Sequence, residues 1–120
     1  MRYLFVHQNF PGQYLHLLRE IAGVPGNEIV FISEPNANAI EGVRRILYTP
    51  PKPDQESVHY VARDFDFAAR RAEIVAGMAM NLKRLGFSPD IILGHHGWGE
   101  LLNLPDVWPD VPLLGYFEFY

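Results

Sequence analysis

The chain contains no cysteine, which excludes disulfide bonds, thiolate metal sites and cysteine nucleophiles. Positive charge is also scarce: ten lysines and arginines are outnumbered by fourteen aspartates and glutamates, giving a formal net charge of −4. This balance favours neither nucleic acid nor an anionic membrane surface as a partner. No apolar run approaches the roughly 20 residues that span a bilayer, and the apolar start reaches His7 too early for a signal peptide. We therefore expect no transmembrane segment and a cytoplasmic location.

The composition is instead that of a folded domain. Hydrophobic residues make up 48% of the 120 positions and aromatic residues 13%, which is enough to build a substantial core. A chain of this length corresponds to one domain, and its hydrophobicity excludes general disorder.

Five short segments rich in apolar and β-branched residues predict strands. Most are continuously apolar, which is typical of strands buried on both faces of a parallel sheet. The third is less apolar and is expected near an edge. The predicted strands cover residues 3–6, 28–33, 43–48, 90–94 and 111–120.

Two segments have the apolar periodicity of helices, residues 13–22 and 64–85. In the longer one the apolar stripe begins at Phe65 and ends at Leu85, Arg71 falls with the polar residues, and Gly86 suits the C-terminal cap. Residues 101–104 are predicted to form at most a short helix.

This succession of strands and helices predicts a Rossmann-like α/β domain with a parallel sheet in the order 3-2-1-4-5. Ligands of such sheets bind at the carboxyl ends of the strands, where the winding reverses, which here lies between strands 1 and 4. Two unusual loops follow those strands, at residues 7–13 and 94–100, and the topology predicts that they converge.

The first loop contains Pro11 and Gly12 just before a helix. They could simply form a turn, or the glycine could let helix-terminal N–H groups approach an anion such as a phosphate. The chain has neither a G-x-G-x-x-G nor a Walker sequence, which disfavours simple dinucleotide or P-loop binding.

The second loop contains the neighbours His95 and His96. The pattern does not favour a metal pair, because adjacent strand residues point apart and no third ligand has suitable spacing. One histidine facing the crevice could bind a sugar hydroxyl or act as an acid or base. Trp98 is more readily explained by packing than by stacking on a ligand. Glu100 could serve the site, or could stabilise the first turn of a short helix.

Glu118 is the one carboxylate in the apolar C-terminal segment, and it could face the crevice or another part of the protein. His7, His16 and His59 are expected at the surface or behind the site.

Three blocks of this sequence carry a resemblance to a known family: RYLFVHQNFPGQ at residues 2–13, GHHGWGE at 94–100 and PLLGYFEFY at 112–120. Together they resemble a bacterial group of glycosyltransferase family 4, and the similarity runs along the whole chain.

The resemblance implies a retaining, metal-independent enzyme without a cofactor, built from two Rossmann-like domains in the GT-B fold. It implies an N-terminal domain that holds a sugar or glycan acceptor and a C-terminal domain that holds a nucleotide-sugar donor. His95 matches the family's histidine near the transferred sugar and is the catalytic candidate. Pro11, Gly12 and Gln13 match the loop near the donor phosphates. The full set of substrate-binding candidates is Gln8, Phe10, Pro11, Gly12, Gln13, His96, Gly97, Trp98, Glu100 and Glu118.

Residues 1–120 are thus expected to form part of the N-terminal, acceptor-side domain of a transferase, inactive without its donor domain. Self-association through the apolar fifth strand is a further expectation. A free-standing flavodoxin-like binding or signalling module is the alternative, although residues 7–9 lack the acidic cluster of a phosphoacceptor and the loop lacks a flavin-type phosphate site. An epimerase-type GT-B enzyme would share the fold.

Overall fold

Five parallel strands form one sheet in the order β3-β2-β1-β4-β5. The structure is a computed structural model that describes residues 1–53 and 57–117. The elements in chain order are β1 (Arg2–Val6), α1 (Leu15–Ala22), β2 (Glu28–Ser33), β3 (Val43–Leu47), α2 (Arg63–Arg84), β4 (Ile91–His95), α3 (Leu104–Val107) and β5 (Leu113–Tyr116). Single turns of 3-10 helix at Gly12–Tyr14 and Tyr60–Ala62 lead into α1 and α2.

The predicted Rossmann-like fold and strand order are confirmed. β1 lies at the centre of the sheet, where Phe5 stands opposite Phe31 of β2 on one side and Leu93 of β4 on the other. β3 is an edge strand, as its weaker apolarity predicted.

Alternation along the strands divides the core into two layers. Leu4, Val6 and Ile92 point to one face, where Val75 and Leu82 of α2 cover them. The opposite face presents Phe5, Phe31 and Leu93 to Leu18 of α1. Burial of apolar surface contributes roughly 25 cal/mol per Å². Because both faces of the sheet are covered, consecutive residues in the middle of the central strands are apolar.

Several boundaries differ from the prediction. Phe65 is 74% exposed and Leu85 is also exposed, so the stripe of α2 is buried only in its middle. The short helix begins at Leu104, with Pro105 in its first turn, instead of at residue 101. β5 ends at Tyr116; the predicted strand continued to residue 120, and residues 118–120 lie outside the described residues.

Within the described part of the chain, no helix combines the length and the apolarity needed to cross a bilayer.

Candidate functional site

The strand order reverses between β1 and β4, so the loops that leave these neighbouring strands lie side by side. From β1 the chain winds outward through β2 to β3, and from β4 it winds the other way to β5. The carboxyl ends of β1 and β4 therefore border the crevice in which open parallel sheets bind ligands.

Four rings meet at this edge of the sheet: His7, Tyr14, His95 and Tyr116, which we call the aromatic quartet. The His7 and His95 rings are edge to face, with centroids 4.8 Å apart. Tyr116 lies 6.0 Å from His95, and Tyr14 lies 6.1 Å from His7 and 6.5 Å from Tyr116, which closes the quartet. The two histidines are 5% and 1% exposed, and Tyr14 is also buried, whereas about half of Tyr116 is exposed.

The side chain of His7 is buried, so of its two expected places, at the surface or behind the site, the structure excludes only the surface. The alternation of β1 continues one residue beyond Val6 and turns His7 to the α1 face, beside Tyr14. Its Nδ1 atom lies 2.9 Å from the backbone N and 2.7 Å from the carbonyl oxygen of Asn9, so the loop holds the ring in place. His16 and His59 are exposed, in agreement with the prediction.

The candidates in the first loop have different placements. Phe10 is buried and packs edge to face on Phe31, with centroids 4.8 Å apart, which makes its side chain part of the core. Gln13 and Gly12 are exposed at the start of the first helical turn.

Gln8 is half-buried, and its carbonyl accepts a 3.1 Å hydrogen bond from the Glu34 N–H. Pro11 is half-buried.

Strand geometry separates the neighbours His95 and His96. His95 belongs to the aromatic quartet on the α1 face, whereas the His96 ring lies over Gly115 and stacks on Phe117, with centroids 4.1 Å apart. Gly97 and Trp98 follow as exposed residues; because Trp98 is 38% exposed, packing of the kind that was predicted covers only part of this residue.

Gly99 brings the second loop against α2. Its φ is +98°, and a Cβ atom there would overlap the carbonyl oxygen of Ala68. Glycine therefore permits both the backbone conformation and the close approach.

Glu100 is fully buried, and its two carboxylate oxygens have no hydrogen-bond partner in other described residues. Burial raises the pKa of this carboxyl; its own backbone N–H, Arg71 and His95 act in the opposite direction. Because α3 begins only at Leu104, Glu100 is not in a first helical turn, and the helix-dipole interpretation is wrong.

Arg71 connects two of the strand ends. Its Nη2 atom forms a 3.3 Å ion pair with Glu34 Oε1 after β2, and its Nη1 donates to the Trp98 carbonyl at 3.1 Å. The guanidinium also lies 4.9 Å from the centre of the Phe67 ring. Arg71 was predicted on the polar face of α2, but it is buried, since this face of the helix packs on the loop after β4.

Tyr14 keeps its phenolic proton over a wide pH range. Burial, and then the neighbouring Tyr116 and Glu100, raise the pKa of Tyr14 to about 12. The neutral hydroxyl can donate or accept a hydrogen bond. Together with the imidazole of His7 beside it and that of His95 behind His7, this hydroxyl gives the site groups that can bind and polarise a hydroxyl of a ligand, a typical task of histidine near neutral pH.

Sequence reasoning placed His95, Gly12 and Glu100 near the crevice and His7 at the surface or behind the site, but it missed Tyr14, Tyr116 and Arg71. One signal was present for Tyr14, which follows the first loop on the apolar stripe of the predicted helix. Glu118 lies outside the described residues. Within the two described ranges, residues 1–53 and 57–117, no group of three or more His, Asp or Glu side chains is arranged to hold a metal ion.

The sequence profile of the glycosyl transferase family 4 group matches residues 25–120. This chain belongs to that family. The match includes the block at 94–100 and the block at 112–120, while the block at 2–13 precedes it. No curated protein and no solved structure matches the chain significantly. Family membership supports glycosyl transfer as the class of reaction, with a sugar donor and an acceptor as substrates.

Proposed function

We propose that this chain is the acceptor-side domain of a cytoplasmic, retaining glycosyltransferase with the GT-B fold. The enzyme moves a sugar from a nucleotide-sugar to a sugar or glycan acceptor. A second Rossmann-like domain holds the donor, and the transfer takes place in the cleft between the two domains.

One observation carries the proposal: His95 and His7 meet at the point where the strand order reverses, beside the Gly12 turn. The family match independently covers His95 and the residues that follow it. A buried imidazole at this edge can bond a hydroxyl of the transferred sugar, and the adjacent half-exposed Tyr116 leaves the edge open to a ligand.

The loop after β1 contributes in a different way. Gly12 and Gln13 are exposed where the first helical turn begins, and N–H groups at such a position favour an anion. We propose that they approach the donor phosphates, whereas His96, on the other face of the sheet, acts from the acceptor side. No observation favours the flavodoxin-like alternative over membership of a transferase family.

The experiment compares His95→Ala with His16→Ala in the chain joined to a family 4 donor domain. Each protein receives a panel of nucleotide-sugars and candidate acceptors, and products are detected by mass spectrometry. We expect His95→Ala to slow transfer by about 10²–10⁴-fold, which is the range for loss of an acid–base or polarising group. The fold of this variant should be unchanged. His16→Ala, exposed on α1, should transfer normally.

Near-normal transfer by His95→Ala would remove His95 from the mechanism. NMR of the product tests retention through the anomeric configuration. The unjoined chain should be inactive and bind nucleotide-sugars weakly at most; tight saturable binding would contradict the division between the two domains.

A further inference from the structure

The Arg45 guanidinium, on β3, organises the loop that follows β2. Its Nη1 atom donates to the carbonyl oxygens of Asn36 and Asn38, both at 2.9 Å, and to Asn36 Oδ1 at 3.1 Å. Its Nη2 atom donates to Ser33 Oγ at 2.6 Å and to the Glu34 carbonyl at 3.0 Å. Five hydrogen bonds from one planar group leave this loop with few alternative conformations.

The loop after β2 in turn holds the loop after β1. The side-chain amides of Asn36 and Asn38 both donate to the carbonyl oxygen of Phe10, at 2.9 and 3.0 Å. Arg45 also contacts this residue directly, with its Cζ atom 4.3 Å from the centre of the Phe10 ring. That carbonyl immediately precedes Pro11 and Gly12. The hydrogen bonds thus connect Arg45, through the loop after β2, to the turn that borders His7.

We infer that Arg45 is a positioning residue for the first loop of the site. It fixes the conformation of residues 34–38 so that the side-chain amides of Asn36 and Asn38 can both donate to the Phe10 carbonyl. These hydrogen bonds in turn position Gly12 against the His7 ring. Arg45 belongs to β3, which two strands separate from β4, and its hydrogen bonds and ring contact within the described residues do not reach the aromatic quartet. Its importance for sugar transfer rests on the proposed function, whereas its coupling to the loop does not.

A lysine cannot replace this group. It carries the same charge on a single nitrogen, and cannot reproduce the fork that reaches Ser33 and Asn38 at once. We therefore expect Arg45→Lys to behave like Arg45→Met. Arg44→Met is the matched control, because Arg44 is the preceding residue on the same strand and is exposed.

The test uses ¹⁵N NMR and amide hydrogen exchange on the 120-residue chain. The imidazole ¹⁵N shifts of His7 report the contact between Nδ1 and Asn9, and the exposed His16 ring serves as internal reference. In both Arg45 variants we expect the His7 shifts to move. The Asn9 and Tyr14 amides, which donate to His7 Nδ1 and to the Pro11 carbonyl, should exchange about tenfold faster or more, as for loss of a charged hydrogen bond. Amides of α2 and the His16 ring should not change, and Arg44→Met should change none of these.

A second variant covers the case in which Arg45→Met does not fold. Replacing both Asn36 and Asn38 by alanine should produce the same His7 signature, and adding Arg45→Lys should then add little. Unchanged His7 shifts and exchange in the Arg45 variants, or changes spread equally over α2, would overturn the inference. If the signature appears but the joined enzyme transfers sugar normally, the coupling stands and the proposed role of the first loop fails.

Discussion

Gly12 lies directly against the ring of His7. A Cβ atom added to Gly12 would be 3.2 Å from Nδ1 and 3.3 Å from Cε1 of His7, and the φ of Gly12 is +55°. Two features therefore require glycine at this position: the close approach of its backbone to the His7 ring and its left-handed backbone conformation. The turn that we propose to approach the donor phosphates therefore also lies against one ring of the histidine pair.

Gly12→Ala should therefore destabilise the fold and disturb the site together. An alanine in the left-handed region costs about 1–2 kcal/mol, and its methyl group must displace His7. Gly77→Ala is the control, because Gly77 lies inside α2 and a Cβ atom there would have no neighbour within 4 Å. This variant should be more stable than the wild type by about 1 kcal/mol, the difference in helix propensity. Urea unfolding measures both changes. A Gly12→Ala protein as stable as the wild type would show that the loop relaxes freely.

Glu100 should make the stability depend on pH. Burial raises the pKa of its carboxyl above the ordinary 4.5, so the folded protein binds this proton more tightly than the unfolded chain. The resulting stabilisation is complete below the unfolded value and is lost as the pH rises through the folded one. Glu100→Gln has no such proton. Its stability relative to wild type should rise with pH, by at most about 1.4 kcal/mol per pH unit.

Unfolding curves for both proteins between about pH 4 and pH 8 provide the measurement. Taking the difference between variant and wild type removes the contributions of groups that the substitution does not affect. A difference that stays constant over this range would contradict a raised pKa at Glu100.

Arg71→Met should be among the more damaging substitutions outside the two apolar layers. It leaves Glu34 without its ion-pair partner and the Trp98 carbonyl without its donor. We expect a loss of stability of about 2–3 kcal/mol, less than the roughly 3–5 kcal/mol of a fully buried pair, because Glu34 is partly exposed. Arg70→Met is the matched control; its exposed pair with Asp66, one turn away, should contribute less than about 1 kcal/mol. Equal losses in the two variants would refute the structural role of Arg71.

The sequence predicted the parts of the structure that depend on local pattern. Continuous apolar runs identified the central strands, and the rule for winding in parallel sheets brought the loops after β1 and β4 together. His95 could be separated from His96 because adjacent strand residues point to opposite faces.

Residues whose environment depends on distant contacts were beyond such reasoning. The burial of Arg71 depends on a loop that packs on α2 through Gly99, and the burial of His7 depends on Tyr14 and His95 together. Periodicity assigns a residue to a face of its helix, but does not reveal which loop covers that face.

The chain should self-associate through β5. This strand has β4 on one side and no strand of the described residues on the other, and an edge of this kind offers backbone groups for pairing with a second copy. Its Leu114 is 59% exposed, and Tyr116 and Phe117 add exposed aromatic surface.

Leu114→Lys should reduce association, because a charge on an edge strand opposes pairing. Leu47→Lys, 47% exposed on the opposite edge strand β3, is the matched control. Light scattering at micromolar concentration distinguishes the outcomes: a wild-type monomer contradicts the prediction, and an equal effect of both variants would exclude β5 as the specific interface.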